Sequence, residues 1–139
     1  MSLNQDQFIF HHTGVITSDI EASQHFFETL GYQSSEKYED HPQKSFIVLM
    51  NKSSAPTLEL VAPMSEDSPA QGWVKRIKSG AYHICYEVKD ATLTEAVSYF
   101  MELQFTPVSK LTLSPAFGGA HVVFLWGKAG GLIELLGKL

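Results

Sequence analysis

The chain has 139 residues, of which 44% are hydrophobic, 18% charged and 12% aromatic. That composition is typical of a globular protein, excludes disordered, collagenous and coiled-coil classes, and at this length predicts a single domain over 1–139. The formal net charge is −5, and the only cluster of basic residues is Lys75, Arg76 and Lys78. We therefore expect no nucleic-acid partner.

The predicted elements form two similar modules joined by a helix. Module one covers about 8–63: a strand at 8–17, a helix that Ser18 and Glu21 begin as a capping box and Gly31 ends, and strands at 32–39, 45–50 and 57–61. A linker helix covers about 68–79, with Ser68 as its cap and Pro69 as its first residue. Module two covers about 80–137: a strand at 81–88, a helix at 92–103, and strands at 106–111, 120–126 and 132–136.

The two modules are recognised as copies by polar residues that recur within apolar strands. His12 and His83 each precede an aspartate at the same spacing, and Leu58-Glu59-Leu60 matches Ile133-Glu134-Leu135. Each module therefore predicts the order βαβββ. Strand alternation places each glutamate on the face opposite its aliphatic neighbours.

Pairing of two such modules would bring two histidines and two glutamates to a common point. A buried carboxylate is costly unless it is paired or bound to metal, so we expect His12, Glu59, His83 and Glu134 to bind a divalent ion. Imidazole and carboxylate donors suit Zn, Ni, Co, Mn or Fe, with positions left for water or substrate. In the alternative interpretation, each glutamate faces solvent on an edge strand and each histidine is half-buried with its hydrogen bonds satisfied.

Other reactive or aromatic side chains have simpler interpretations. His121 could reach the cleft, whereas Cys85 is expected to be a core thiol. Packing or a surface position is expected for His11, a helix position for His25 and a loop position for His41, whereas Trp73 and Trp126 are expected to pack. One cysteine permits no internal disulfide, and no apolar stretch approaches the roughly 20 residues of a membrane span, so we expect a cytoplasmic protein without a membrane partner.

The sequence resembles the vicinal oxygen chelate (glyoxalase/bleomycin resistance/dioxygenase) superfamily over nearly its whole length. The motifs most similar to its methylmalonyl-CoA epimerase branch are Asp67-Ser68-Pro69, Gly80-Ala81-Tyr82-His83-Ile84-Cys85-Tyr86-Glu87-Val88-Lys89-Asp90, Val122-Val123-Phe124-Leu125 and Gly130-Gly131-Leu132-Ile133-Glu134-Leu135. The resemblance implies an α+β fold in which two tandem βαβββ modules form a curved mixed sheet around a metal-binding cleft. It also implies that His12, Glu59, His83 and Glu134 are the ligands, and it leads us to expect a homodimer.

The activity that the resemblance implies is that of an epimerase or isomerase. It would abstract a proton next to a carbonyl, through a metal-stabilised enolate, from a small carbonyl substrate such as an acyl-CoA, with Glu134 as the first candidate base and Glu59 as its partner. Two features depart from the epimerase pattern. Glu59 stands where epimerases commonly carry glutamine and glyoxalase I (lactoylglutathione lyase) carries glutamate. Pro42-Gln43-Lys44 replaces Glu-Gln-Gly, leaving Glu39 or Asp40 as substitutes for that glutamate.

Three alternatives therefore stay open at this stage. One is a glyoxalase I-type lyase, and a second is a dioxygenase that uses His12, His83 and Glu134 as a facial triad. The third is a non-catalytic protein of the same fold that binds a small molecule.

Overall fold

A computed structural model describes residues 3–139, and its fold is mixed α+β. The three α-helices of this range are α1 (Ile20–Thr29), α2 (Pro69–Ile77) and α3 (Leu93–Glu102). The ten strands are β1 (Phe8–Ile16), β2 (Gln33–Ser34), β3 (Tyr38–Asp40), β4 (Ser45–Lys52), β5 (Ala55–Pro63), β6 (Gly80–Val88), β7 (Thr106–Pro107), β8 (Thr112–Leu113), β9 (His121–Gly127) and β10 (Gly131–Gly137). None of these helices is long and apolar enough to cross a membrane.

The chain divides into two compact units. The central unit is His12–Tyr82, and the terminal unit combines the chain up to His11 with His83–Leu139. Both β1 and β6 therefore contribute residues to each unit. Whether the two units make up the single domain expected over 1–139 stays a prediction.

In the central unit the strands follow the order β2–β4–β5–β1, with β3 also paired to β4. Strands β1 and β5 are parallel, whereas β4 is antiparallel to its neighbours. One face of this sheet packs Val15 and Leu60 against Ile20 of α1. On the other face, Ile16 and Val61 pack against α2, because alternation turns successive residues to opposite faces.

The terminal unit repeats this arrangement with the order β6–β10–β9–β7, and with β8 also paired to β9. Here β6 and β10 are the parallel pair. Leu125 and Leu135 pack against Leu93 of α3 on one face, and Cys85, Val122 and Leu136 cluster on the other. The predicted α+β class and the two βαβββ modules are confirmed.

The predicted strands 32–39 and 106–111 are wrong in one respect, because the structure has two short strands in place of each: β2 and β3 in the central unit, and β7 and β8 in the terminal unit, where β8 begins after residue 111. In the central unit, the Leu49 amide donates to Oγ of Ser35 over 2.9 Å; in the terminal unit, the Phe124 amide donates to Oγ of Ser109 over 2.9 Å. A serine hydroxyl therefore takes the acceptor position that a backbone carbonyl would fill in a continuous ladder. Both interruptions have the same cause at equivalent positions of the repeat.

The start of α1 also differs from the prediction. Asp19, not Ser18, is the N-cap, and its Oδ1 accepts a hydrogen bond from the Ala22 amide over 3.1 Å. The predicted end is confirmed, since Gly31 follows the helix at φ 96°, a conformation that glycine adopts without strain. At α2, the predicted Ser68 cap and Pro69 start are confirmed.

Candidate metal centre

The central unit buries an imidazole and a carboxylate side by side on neighbouring parallel strands. In the register of β1 and β5, Gly14 lies beside Glu59, so His12 is the diagonal neighbour of Glu59 on the same face. Gly14 has no side chain to separate them. Nε2 of His12 lies 3.4 Å from Oε1 of Glu59, and the residues are 0% and 3% exposed.

The terminal unit contains the same arrangement. Cys85 lies beside Glu134 in the register of β6 and β10, and His83 precedes Cys85 by two positions. Nε2 of His83 lies 3.1 Å from Oε1 of Glu134, and both residues are buried. The ring of Phe124 contacts the His83 imidazole edge-on, with centroids 5.1 Å apart, and limits how far the imidazole can turn.

The two pairs occupy equivalent registers, because each glutamate lies beside the residue two positions after its histidine. The alternative in which each glutamate faces solvent on an edge strand is wrong. Strand β5 lies between β4 and β1, and β10 lies between β6 and β9. All four side chains are buried within their strands, as the repeat predicts.

The chemistry of the donors fits a divalent cation. Each pair offers an imidazole nitrogen and a carboxylate oxygen, the set that zinc, manganese, iron, cobalt and nickel accept. With neutral imidazoles, each unit buries one negative charge, and removing a carboxylate from water costs several kcal/mol unless a partner compensates it. A positive ion at these atoms would supply that compensation.

The other candidate side chains are not part of either pair. His25 and His41 are exposed. His121 lies an odd number of positions from Phe124 along β9, so it faces away from His83 and Glu134. His11 packs edge-on against Phe117, with ring centroids 5.0 Å apart.

Cys85 is a core thiol, as predicted. It is fully buried and clusters with Val122 and Leu136. A fully buried thiol is less accessible to reagents than an exposed thiolate.

Asp40 and Glu39, the sequence-based substitutes for a missing glutamate, have contrasting surroundings. The Asp40 carboxylate is fully buried and accepts hydrogen bonds from the backbone amide and from Nε2 of Gln43, over 3.3 and 3.1 Å. It thereby fixes the turn between β3 and β4. Glu39 is exposed, with Oε1 3.5 Å from Nε2 of His41. These contacts favour a structural role for Asp40 and a surface role for Glu39.

Trp126 is the residue whose setting the sequence interpretation missed. It was expected to pack in the core, yet it is 48% exposed. In the register of β9 and β10, Trp126 lies opposite Leu132 and Phe124 lies opposite Glu134, so all four share one face. Alternation along 122–126 and 132–136, read together as a hairpin, is the signal that could have predicted this.

Comparison with known proteins assigns the family. The chain belongs to the Glyoxalase/Bleomycin resistance protein/Dioxygenase superfamily, whose family model matches residues 11–124. Mitochondrial methylmalonyl-CoA epimerase of Mus musculus is 30% identical over 131 residues, which cover 90% of this chain and 70% of that protein. The predicted resemblance is thereby confirmed.

Two solved structures share the fold. Methylmalonyl-CoA epimerase from Mycobacterium tuberculosis has a TM-score of 0.80 at 20% identity, covering 99% of this chain and 93% of that one. A variant of the Streptomyces coelicolor enzyme, in complex with 2-nitronate-propionyl-CoA, has a TM-score of 0.76 at 21% identity and covers 93% of each chain.

Proposed function

We propose that this chain is a metal-dependent epimerase that inverts the acidic carbon next to the thioester carbonyl of an acyl-CoA, as a methylmalonyl-CoA epimerase does. The observation that carries the proposal is the repeated, buried His–Glu pair in equivalent registers of the two units. The mouse relative supports the reaction class, and the Streptomyces coelicolor complex supports an acyl-CoA as the substrate class.

The proposal includes one divalent ion held jointly by His12, Glu59, His83 and Glu134. The charge of the donors supports a shared ion. A divalent ion offsets the negative charge that an ionised glutamate brings to the site. When bound, such an ion would stabilise negative charge on the substrate's carbonyl oxygen by several kcal/mol.

The two glutamates divide the movement of the proton between them. Glu134 takes the proton from the acidic carbon onto a carboxylate oxygen, and Glu59, protonated before the step, delivers its proton to the opposite face of the same carbon, so the two glutamates exchange protonation states. Burial of both side chains excludes bulk water, which would otherwise compete for the proton and weaken every electrostatic interaction in the site. Inversion follows because the proton leaves one face and returns to the other.

Hydrogen exchange in deuterium oxide tests this division with each epimer of methylmalonyl-CoA as substrate. We expect Glu134→Gln and Glu59→Gln to lower inversion by about 100- to 10,000-fold, the usual contribution of a general acid or base. Each variant should still exchange deuterium into one epimer, and the two variants should act on opposite epimers. The matched control is Glu39→Gln, an exposed carboxylate on β3, which should retain wild-type rates.

Normal inversion by Glu134→Gln would remove that residue from the mechanism. Exchange into the same epimer by both variants would contradict the division of roles. Metal and acyl-CoA binding without exchange by the wild-type chain would instead identify a binding protein.

A glyoxalase I-type lyase is the second candidate, and Glu59 is the observation that favours it. The strand position of Glu59 commonly carries glutamine in the epimerases that the sequence resembles. In a lyase of this type the proton returns to the neighbouring carbon, so the substrate decides between the two reactions. Turnover of a glutathione thiohemiacetal, with no exchange into methylmalonyl-CoA, would select the lyase.

A further inference from the structure

The terminal unit places an exposed aromatic side chain beside the His83–Glu134 pair. Glu134 lies opposite Phe124 on β9, and Trp126 follows Phe124 by two positions on the same face. A diagonal neighbour of this kind lies about 7–8 Å away along the sheet, a distance that an aromatic side chain spans. Trp126 is therefore within reach of a molecule that contacts the Glu134 carboxylate.

The side chains around Trp126 extend this face into an apolar wall. Leu132 lies opposite Trp126, and the backbone amide of Val108 donates to the Phe124 carbonyl over 2.8 Å, which aligns Val108 with the same face. Trp126 and Val108 are 48% and 57% exposed, so much of this apolar surface is in contact with water. The tryptophan ring extends over Gly131, where a Cβ would lie 3.7 Å from Cζ3.

The corresponding positions of the central unit are polar, although its His–Glu pair is the same. Leu49 lies opposite Glu59 as Phe124 lies opposite Glu134, and Asn51 follows Leu49 by two positions. Oγ1 of Thr57 donates to Oδ1 of Asn51 over 2.7 Å, so the side chains beside this pair contact each other through polar atoms. Both units therefore contain the ionisable pair, but the side chains beside it are polar in the central unit and apolar in the terminal unit.

We propose that Trp126, with Val108 and Leu132, forms an apolar subsite for the alkyl substituent on the acidic carbon of the acyl-CoA. This inference rests on the proposed function, because the proton that Glu134 takes and the alkyl group are attached to the same carbon. The alkyl group is bonded to the carbon from which Glu134 takes the proton, so it lies close to the Glu134 carboxylate, which shares its face of the sheet with Trp126. Two exposed side chains offer more surface than a methyl group covers, so ethyl and propyl substituents are preferred over methyl.

A series of 2-alkylmalonyl-CoA substrates with methyl, ethyl and propyl groups tests the subsite by the rate of deuterium exchange. For the wild-type chain we expect kcat/KM to rise about fourfold per methylene, mainly through a lower KM, because each buried methylene contributes about 0.8 kcal/mol. Trp126→Ala should reduce that rise to less than about twofold, whereas Trp126→Phe should retain most of it. Trp73→Phe is the control, since Trp73 packs against Tyr82 in the central unit.

Fluorescence gives a second readout that does not depend on turnover. Trp73 and Trp126 are the two tryptophans of the chain, so emission from Trp73→Phe reports Trp126 alone. We expect its emission to shift to shorter wavelength on binding, at lower concentrations of propylmalonyl-CoA than of methylmalonyl-CoA, and free CoA to cause no shift.

The possible failures of the inference and of the proposed function can be told apart. An equal chain-length dependence in wild type and Trp126→Ala, or unchanged emission at saturation, would overturn the subsite while leaving the epimerase intact. A wild-type chain that exchanges deuterium into none of the three substrates would overturn the proposed function, and the subsite with it.

Discussion

Replacing Glu134 with glutamine separates the cost of burying its charge from its contribution to metal binding. The carboxylate is 2% exposed and lies 3.1 Å from Nε2 of His83. Glutamine keeps the volume and an acceptor oxygen but removes the charge. Because a buried ion carries an effective penalty of several kcal/mol that its partner only partly offsets, Glu134→Gln should raise the free energy of unfolding by about 1–2 kcal/mol in the presence of a chelator.

With metal bound, the same substitution should have the opposite sign. If the site binds zinc, the ion at about 1,000 times its Kd would stabilise the wild-type chain by about 4.1 kcal/mol. If the variant binds zinc about 100-fold more weakly, the same concentration is about ten times its Kd and stabilises it by only about 1.4 kcal/mol. Zinc would therefore stabilise the variant by about 2.7 kcal/mol less than it stabilises the wild-type chain.

Urea unfolding of both proteins, in chelator and in zinc, measures this reversal directly. The matched control is Glu87→Gln, a half-buried glutamate on β6 outside either pair, for which the two conditions should give the same difference from wild type. A loss of unfolding free energy by Glu134→Gln that is equal in chelator and in zinc would refute the reasoning.

Two further predictions concern parts of the fold away from the pairs. A Cβ on Gly127 would lie 2.6 Å from three ring atoms of Phe105, so Gly127→Ala should lower the free energy of unfolding by about 1–3 kcal/mol in a urea titration. Gly72→Ala, in α2 with nothing within 4 Å of the new Cβ, should instead raise it by about 1 kcal/mol, and equal effects would contradict the packing argument. The Lys44 ammonium lowers the pKa of Asp67 to about 2, so this pair stabilises the fold above about pH 4 and ceases to do so as the pH falls through about 2. Lys44→Met should raise the Asp67 pKa towards 3.8 in a titration followed by NMR, and an unchanged pKa would show that Lys44 is not the cause.

The fold could be predicted from the sequence because its strongest signals are local and occur twice. Gly31 and Pro69 fix helix ends by backbone preferences and Ser68 by a side-chain cap, and tertiary contacts did not override these local signals. The interruptions at Ser35 and Ser109 could not be predicted, because a serine hydroxyl replaces a ladder acceptor only when a particular amide of the neighbouring strand lies opposite it. Such register is a property of two strands, not of one.

For the site, the sequence could predict which residues are buried but not how their surroundings differ. The recurrence of His12 and Glu59 as His83 and Glu134 predicts these four residues, and the structure shows that each histidine contacts the glutamate of its own module. Trp126 was misjudged because an aromatic residue in an apolar strand is usually in the core, and only the register of β9 and β10 shows which face it occupies.

The central claim is that one metal ion is shared by a His–Glu pair from each unit. Its most direct test is the divalent metal content per chain, measured on protein purified without chelators, for the wild type, His12→Gln and His83→Gln. The shared site predicts about one ion per wild-type chain and almost none in either variant, because each removes one of four ligands. Two ions per chain, or full metal content in either variant, would contradict it.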